Sequence, residues 1–171
     1  MSKTREQLAV AGILLAGPIV PSFFKITSDG ASVPTGFMRK VLDADQTRAA
    51  GFIHDYGYYL GNICFVPGTL DYKRARYQAD VDLKFNRTKI GKGFVRGQVF
   101  GRIYFRGVRF PFIGGARAMR KKHGKLERPP SLASLELVRG HCVDLCKPHG
   151  LSKYAKKQLK QWEKQIKEES R

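Results

Sequence analysis

His54 and Asp55 stand side by side in a run that begins Ala49, Ala50 and continues Phe52, Ile53, His54, Asp55, Tyr56, Gly57, Tyr58, and a further carboxylate, Asp80, follows in a later periodic stretch. An imidazole with carboxylates around it is equipment for general acid–base chemistry. A carboxylate that accepts a hydrogen bond from one ring nitrogen fixes the tautomer and leaves the other nitrogen to take a proton from water. On a helix of about 3.6 residues per turn, His54 and Tyr58 share a face while Asp55 points about 100° away. The spacing therefore predicts that His54 and Tyr58 look at a partner helix carrying Asp80. Asp55 is expected to look toward the loop at residues 28–34, where Asp29, Gly30 and Ser32 can join it in the oxygen shell that a hard cation such as Ca²⁺ requires. Asp80 has a second reading, an i,i+4 ion pair with Arg76 or Lys84 worth a few tenths of a kcal/mol. Spacing alone leaves catalysis and a structural polar cluster both open.

The elements that must hold these residues follow from the pattern around them. Residues 23–27 are short, apolar and β-branched at the end, which predicts a strand running into the loop. Gly30 allows backbone angles closed to other residues, and Pro34 pushes Val33 into an extended state, so a rigid loop is expected. Asp43 or Asp45 can cap a helix over residues 46–60, with Ala49, Ala50, Ile53 and Gly57 as its small face and Gly61 and Asn62 as its end. After Pro67 and Gly68, residues 72–86 read as a second helix with Ala75, Ala79 and Leu83 on one stripe. A short connection makes the two antiparallel. The fold class expected is mainly α with a small β element.

The blocks FKITSDGASVPTGF, RAAGFIHDYGYY and YKRARYQADVDLKF resemble the bacteriophage DUF1353 family, whose pattern runs through TDGASVP, HDYxY and an R-x-x-AD-x-x-F block. Ser28 stands where that pattern has Thr, and the resemblance covers roughly residues 23–115. It implies a phage protein and names no activity. More distantly, the loop, the helix with Ala49, Ala50, His54, Asp55 and Tyr58, and the later helix with Ala79 and Asp80 resemble the phospholipase A2 fold, in the disulfide-free form of parvovirus minor capsid proteins. That resemblance implies His54 as the base that activates water, Asp55 as a Ca²⁺ ligand with loop carbonyls, Asp80 as the group that orients His54, and Tyr58 as its support. The chain departs from it in the ion loop, which reads DGASVP in place of a Y-x-G-x-G run.

Charge narrows the partners. The 171 residues carry 32 Lys+Arg against 14 Asp+Glu, a net charge of +18, enough for a surface potential of several kT that favours polyanions. An anionic membrane or lipid substrate, nucleic acid and neighbouring virion proteins all fit. With 42% hydrophobic residues, one modest core is expected: an apolar segment at 1–22, a domain at 23–115 and a basic helical tail at 116–171. Lys3 and Arg5 precede an apolar run at 8–17 that resembles a signal peptide. That run is short of the roughly 20 residues a bilayer needs, and Glu6, Pro18 and Pro21 interrupt the pattern, so a buried or membrane-touching segment is expected rather than a signal peptide.

Residues 90–115 interleave Gly, Arg and aromatics. Arg96, Arg102, Arg106 and Arg109, continued by Arg117, Arg120, Lys121 and Lys122, are candidates for a nucleic-acid or anionic-surface site; the alternative is that the rings are core and the arginines solvated. In the tail, Ser131 can cap a helix bearing Leu132, Leu135, Val138 and Leu145, and Ser152 a lysine-rich one with a narrow stripe of Leu159, Trp162 and Ile166. Cys64, Cys142 and Cys146 are an odd number, which argues against a disulfide scaffold. His141, Cys142, Cys146 and His149 are ligand types for Zn²⁺ at a spacing unlike common zinc sites.

Three functions are expected to compete. One is a virion-associated, phospholipase A2-like lipid hydrolase acting on the host envelope during infection or release. Another is a non-catalytic structural virion protein whose basic surface holds packaged nucleic acid or neighbouring subunits. The last is a peptidoglycan-directed hydrolase. The location expected is the phage particle, or the host cell during infection.

Overall fold

Pro67 and Gly68 set the architecture. Gly68 has a φ of +92°, and Thr69 N–H donates to the Val66 carbonyl at 3.2 Å, the pattern of a type II turn with Pro at its second position and Gly at its third. The chain reverses there between two long helices. A computed structural model describes residues 14–27, 48–90, 98–99, 101–103, 105–106 and 128–170. Its elements, in order, are α1 (Ser22–Thr27), α2 (Arg48–Cys64), α3 (Leu70–Ile90), α4 (Leu132–Leu145) and α5 (Lys153–Glu169). The protein is mainly helical, with no strand among the described residues.

The antiparallel α2/α3 pair rests on small residues. A Cβ placed on Gly57 would meet the Ala79 Cβ at 2.9 Å, so the backbones approach there because a side chain is missing, whereas one on Gly61 would meet the Ala75 Cβ at an ordinary 3.6 Å. Gly61 and Asn62 do not end α2. The helix continues through them to Cys64, and Gly61 faces Ala75 of the partner helix with helical, not left-handed, backbone. On α3 the buried positions Tyr72, Ala75, Ala79, Leu83 and Asn86 recur every three or four residues, one stripe on an otherwise polar helix. Asp71 in its first turn and Arg87 and Lys89 in its last complement the helix macrodipole.

The strand expected at 23–27 is instead α1. Phe24 is 2% exposed and sets its ring 5.1 Å from Tyr56 and 5.2 Å from Tyr59. Packing against two aromatic rings outweighs the β-propensity of Phe, Ile and Thr. The segment before α1 is pinned by Asn86, whose side chain accepts from Ala16 N–H at 2.7 Å and donates to the Ala16 carbonyl at 2.9 Å.

The last two helices complete the core. Ser131 and Ser152 cap α4 and α5, accepting from Ser134 N–H at 3.2 Å and Ala155 N–H at 3.0 Å. Leu135, Val138, Leu159, Trp162 and Ile166 join Ile53, Tyr56, Tyr59 and Ile63 of α2 in one apolar cluster. Burying Leu159 and Ile166 stabilises the docked α5 by about 1.5–3 kcal/mol each. Ser152 also donates to the Cys64 carbonyl at 2.6 Å, tying the start of α5 to the end of α2. No helix among the described residues is long and apolar enough to cross a membrane.

Candidate functional site

His54 sits on α2, 4% exposed, with both ring nitrogens engaged. Nε2 lies 3.1 Å from Asp80 Oδ1 across the seam, and Nδ1 lies 3.1 Å from Asp55 Oδ1 on the same helix. One turn on, the Tyr58 hydroxyl donates to the same Asp80 Oδ1 at 2.5 Å, and its ring lies against the imidazole with centroids 4.4 Å apart. Asp80, also 4% exposed, therefore accepts from the imidazole and from a phenol on a single oxygen. The ring is fixed in plane and in position by α2 on one side and α3 on the other.

These contacts set the electrostatics. Burial pulls the His54 pKa down, but hydrogen bonds to Asp55 and Asp80 and their charges outweigh it, and the imidazolium is favoured above its ordinary range. A neutral ring has one N–H to offer; the protonated ring supplies both carboxylates. Burial first, then the Asp80 charge, push the Tyr58 phenol up, so it stays a donor.

Arg76, considered from spacing only as an ion-pair partner of Asp80, has a different part. Its guanidinium lies 4.6 Å from the centre of the Tyr58 ring and 5.6 Å from that of Tyr72. Tyr72, Arg76 and Asp80 are successive i,i+4 positions on α3, so this ladder of ring, cation and carboxylate was present in the spacing. Burial lowers the Arg76 pKa, but Tyr58 leads the groups that raise it, and the net direction is up. The Arg76 Nε is buried with no hydrogen-bond partner among the described residues. Lys84, the other candidate partner of Asp80, reaches over the Phe105 ring at 5.6 Å.

The structure brings His54, Asp55, Tyr58 and Asp80 together. Asp29, Gly30 and Ser32 lie outside the described residues, as do Arg96, Arg109, Arg117, Arg120, Lys121 and Lys122. Arg102 and Arg106 are exposed. Asp55 is an oxygen donor suited to a hard cation, and its carboxylate, 13% exposed, is turned to His54. Among the described residues no group of three or more His, Cys, Asp or Glu is arranged to hold a metal ion.

The tail residues considered as zinc ligands have other neighbours. His141 Nδ1 pairs with the Tyr56 hydroxyl at 2.9 Å, and burial lowers its pKa against the pull of Asp144. Cys142 and Cys146 are buried free thiols beside a third, Cys64. Hydrogen bonding to Cys142, then burial, push the Cys64 thiol up, so it is a poor nucleophile. A cavity of about 370 Å³ opens between residues 17–19, α2, α3 and α4, with Asp82, Gln78, His141 and Asp144 as its polar lining. None of His54, Asp55, Tyr58 and Asp80 lines it.

No protein-family model, curated protein or solved structure matches the chain.

Proposed function

We propose that the chain is a phage lipid hydrolase of phospholipase A2 type, acting on ester bonds of host-envelope phospholipids from the virion. The observation that supports this reading best is the double bond on Asp80 Oδ1, from His54 Nε2 at 3.1 Å and Tyr58 at 2.5 Å. It aims the imidazole through Nε2, so that in the deprotonated ring Nδ1, once released by Asp55, is the nitrogen for proton transfer. In the reaction, Nδ1 takes a proton from water as the water oxygen attacks the ester carbonyl. The proton then passes to the leaving alkoxide, giving fatty acid and lysolipid.

Asp55 is the gate on this chemistry. Its contact at 3.1 Å occupies Nδ1, so the carboxylate must swing away before the ring can act as a base. A divalent cation would be held by Asp55 with oxygens from Asp29, Gly30 and Ser32, and when bound it supplies polarisation of the ester carbonyl.

The test is fatty-acid release from phospholipid vesicles with Ca²⁺ present. The wild type is expected to release fatty acid and His54→Ala to lose the activity; full activity in His54→Ala would end the proposal.

The Asp55 contact also favours a second reading. A buried imidazolium between two carboxylates locks α2 to α3 as a structural cluster, and the protein is then a non-catalytic virion component. Copurification with phage particles together with no lipid or cell-wall hydrolysis supports this reading; absence from particles excludes it.

A further inference from the structure

The N-terminal half of α5 carries a concentration of charge that no acid among the described residues pairs with. Lys153, Lys156, Lys157 and Lys160 are all exposed, and none has an ion pair among the described residues. The acids of residues 128–170 are engaged elsewhere: Glu136 with Arg139, Asp144 with Lys147, Glu163 with Arg139 and Lys167, Glu168 with Lys164, and Glu169 with Arg128. Two turns of helix therefore present four ammonium groups with no ion pair among the described residues.

Their placement runs against the intrinsic field of the helix. The first turn of α5 holds no acid, and lysines there face the positive end of the macrodipole, where cations are disfavoured by a few tenths of a kcal/mol each. The helix stays formed because its other side is fixed: Ala155, Leu159, Trp162 and Ile166 are buried and Ser152 caps it. At about 100° per residue the lysines fall within about 100° of arc centred about 140° from that buried stripe, over a rise of about 10 Å. The ladder is rigid and outward-facing.

We infer that this face of α5 docks the phosphate backbone of a nucleic acid, without reading its sequence. The choice over a lipid surface rests on what the face lacks. A helix that lies in a bilayer interface inserts an apolar side, and the apolar side of α5 is consumed by the core; its exposed positions are Lys, Gln and Glu. Its exposed side chains are polar and do not enter acyl chains, and the one ring beside the lysines, Tyr154, is half-buried, short of the open face that base stacking uses. What remains is ammonium against phosphate, whose affinity comes from counterion release. This face is remote in sequence from the His54 cluster, and its role does not depend on that cluster being catalytic.

The test is a salt titration of binding to a fluorescent mixed-sequence DNA duplex, comparing the full chain with K153Q/K156Q/K157Q/K160Q and with an equally charge-reduced control, K73Q/R74Q/K89Q/K147Q. Gln matches Lys in helix propensity, and thermal unfolding confirms that each variant is folded. At about 0.9 in the slope of log affinity against log salt for each phosphate contact, the α5 variant is expected to lose roughly 3 to 4 in slope. The double variant K153Q/K160Q should lose about half of that, and the control less than either. Equal losses in the α5 variant and the control, an unchanged slope in the α5 variant, or a loss confined to binding of phosphatidylglycerol vesicles would each overturn the inference.

Discussion

Tyr58 and His54, one turn apart on α2, bond to the same carboxylate oxygen of Asp80 on α3, at 2.5 Å and 3.1 Å. One oxygen serving two donors makes the geometry of each depend on the other. The cluster is therefore a unit, and removing any member should move the others.

Tyr58→Phe removes a hydrogen bond to a buried carboxylate and keeps the ring against the imidazole. The loss is expected to cost about 1.5–3 kcal/mol of folding stability, measured as the shift of the urea midpoint at constant slope. Arg76→Gln, which removes the cation over the Tyr58 ring, should cost less, about 0.5–2 kcal/mol.

Titration of His54 by NMR should give a pKa above the ordinary value, because Asp55 and Asp80 outweigh burial. The stability that the raised pKa contributes is fully present below the unfolded-state pKa near 6.5. It is lost as pH rises through the higher folded value, at about 1.4 kcal/mol per unit of difference. Asp55→Asn removes one charge and leaves at most a neutral acceptor for Nδ1–H, so the His54 pKa should fall and this pH dependence should flatten. If His54 is the base, the acid limb of the rate profile lies at the raised pKa in the wild type and lower in Asp55→Asn, read apart from the absolute rate.

Two glycine-to-alanine changes should have opposite signs. At Gly140, in the interior of α4, an added Cβ meets nothing within 4 Å, so Ala is expected to stabilise by about 0.5–1 kcal/mol. At Gly57 it meets the Ala79 Cβ at 2.9 Å, and overpacking of about 1–3 kcal/mol exceeds the propensity gain. Thermal unfolding of both variants checks the contrast, and a stabilised Gly57→Ala would show that the seam is looser than described.

Asn86→Ala should release the segment at residues 14–20, since the amide supplies both hydrogen bonds that hold Ala16. Leaving those half-buried backbone groups without partners costs up to about 1–3 kcal/mol each, less whatever water restores. Faster hydrogen exchange at Ala16 is the direct readout.

The spacing of His54, Tyr58 and Asp80 was legible because helical periodicity decides which residues face a neighbour, and the type II turn at Pro67 and Gly68 decides which neighbour that is. The caps at Ser131 and Ser152 and the stripe of Leu159, Trp162 and Ile166 were legible for the same reason. The helix at residues 22–27 was not, because its conformation depends on where Phe24 meets Tyr56 and Tyr59, a contact invisible to local pattern. Gly61 misled in a similar way, since a glycine that ends a helix and one in the interior of a helix facing a neighbour look alike in sequence. The Asp55 contact to Nδ1 was hidden by the rule that adjacent residues point about 100° apart, because side-chain torsions close that angle at short range. Cys64 beside Cys142 joins positions 78 residues apart, beyond any local signal.

The central claim is that His54, aimed by Asp80 and Tyr58, takes a proton from water. Its most direct measurement is fatty-acid release from phospholipid vesicles by the wild type and His54→Ala, each with Ca²⁺ and with chelator. Ca²⁺-dependent release by the wild type is expected, with a rate lower by about a hundredfold or more in a folded His54→Ala, the scale of a lost general base. Equal release by the two proteins, or none from folded wild type with Ca²⁺ present, would contradict it.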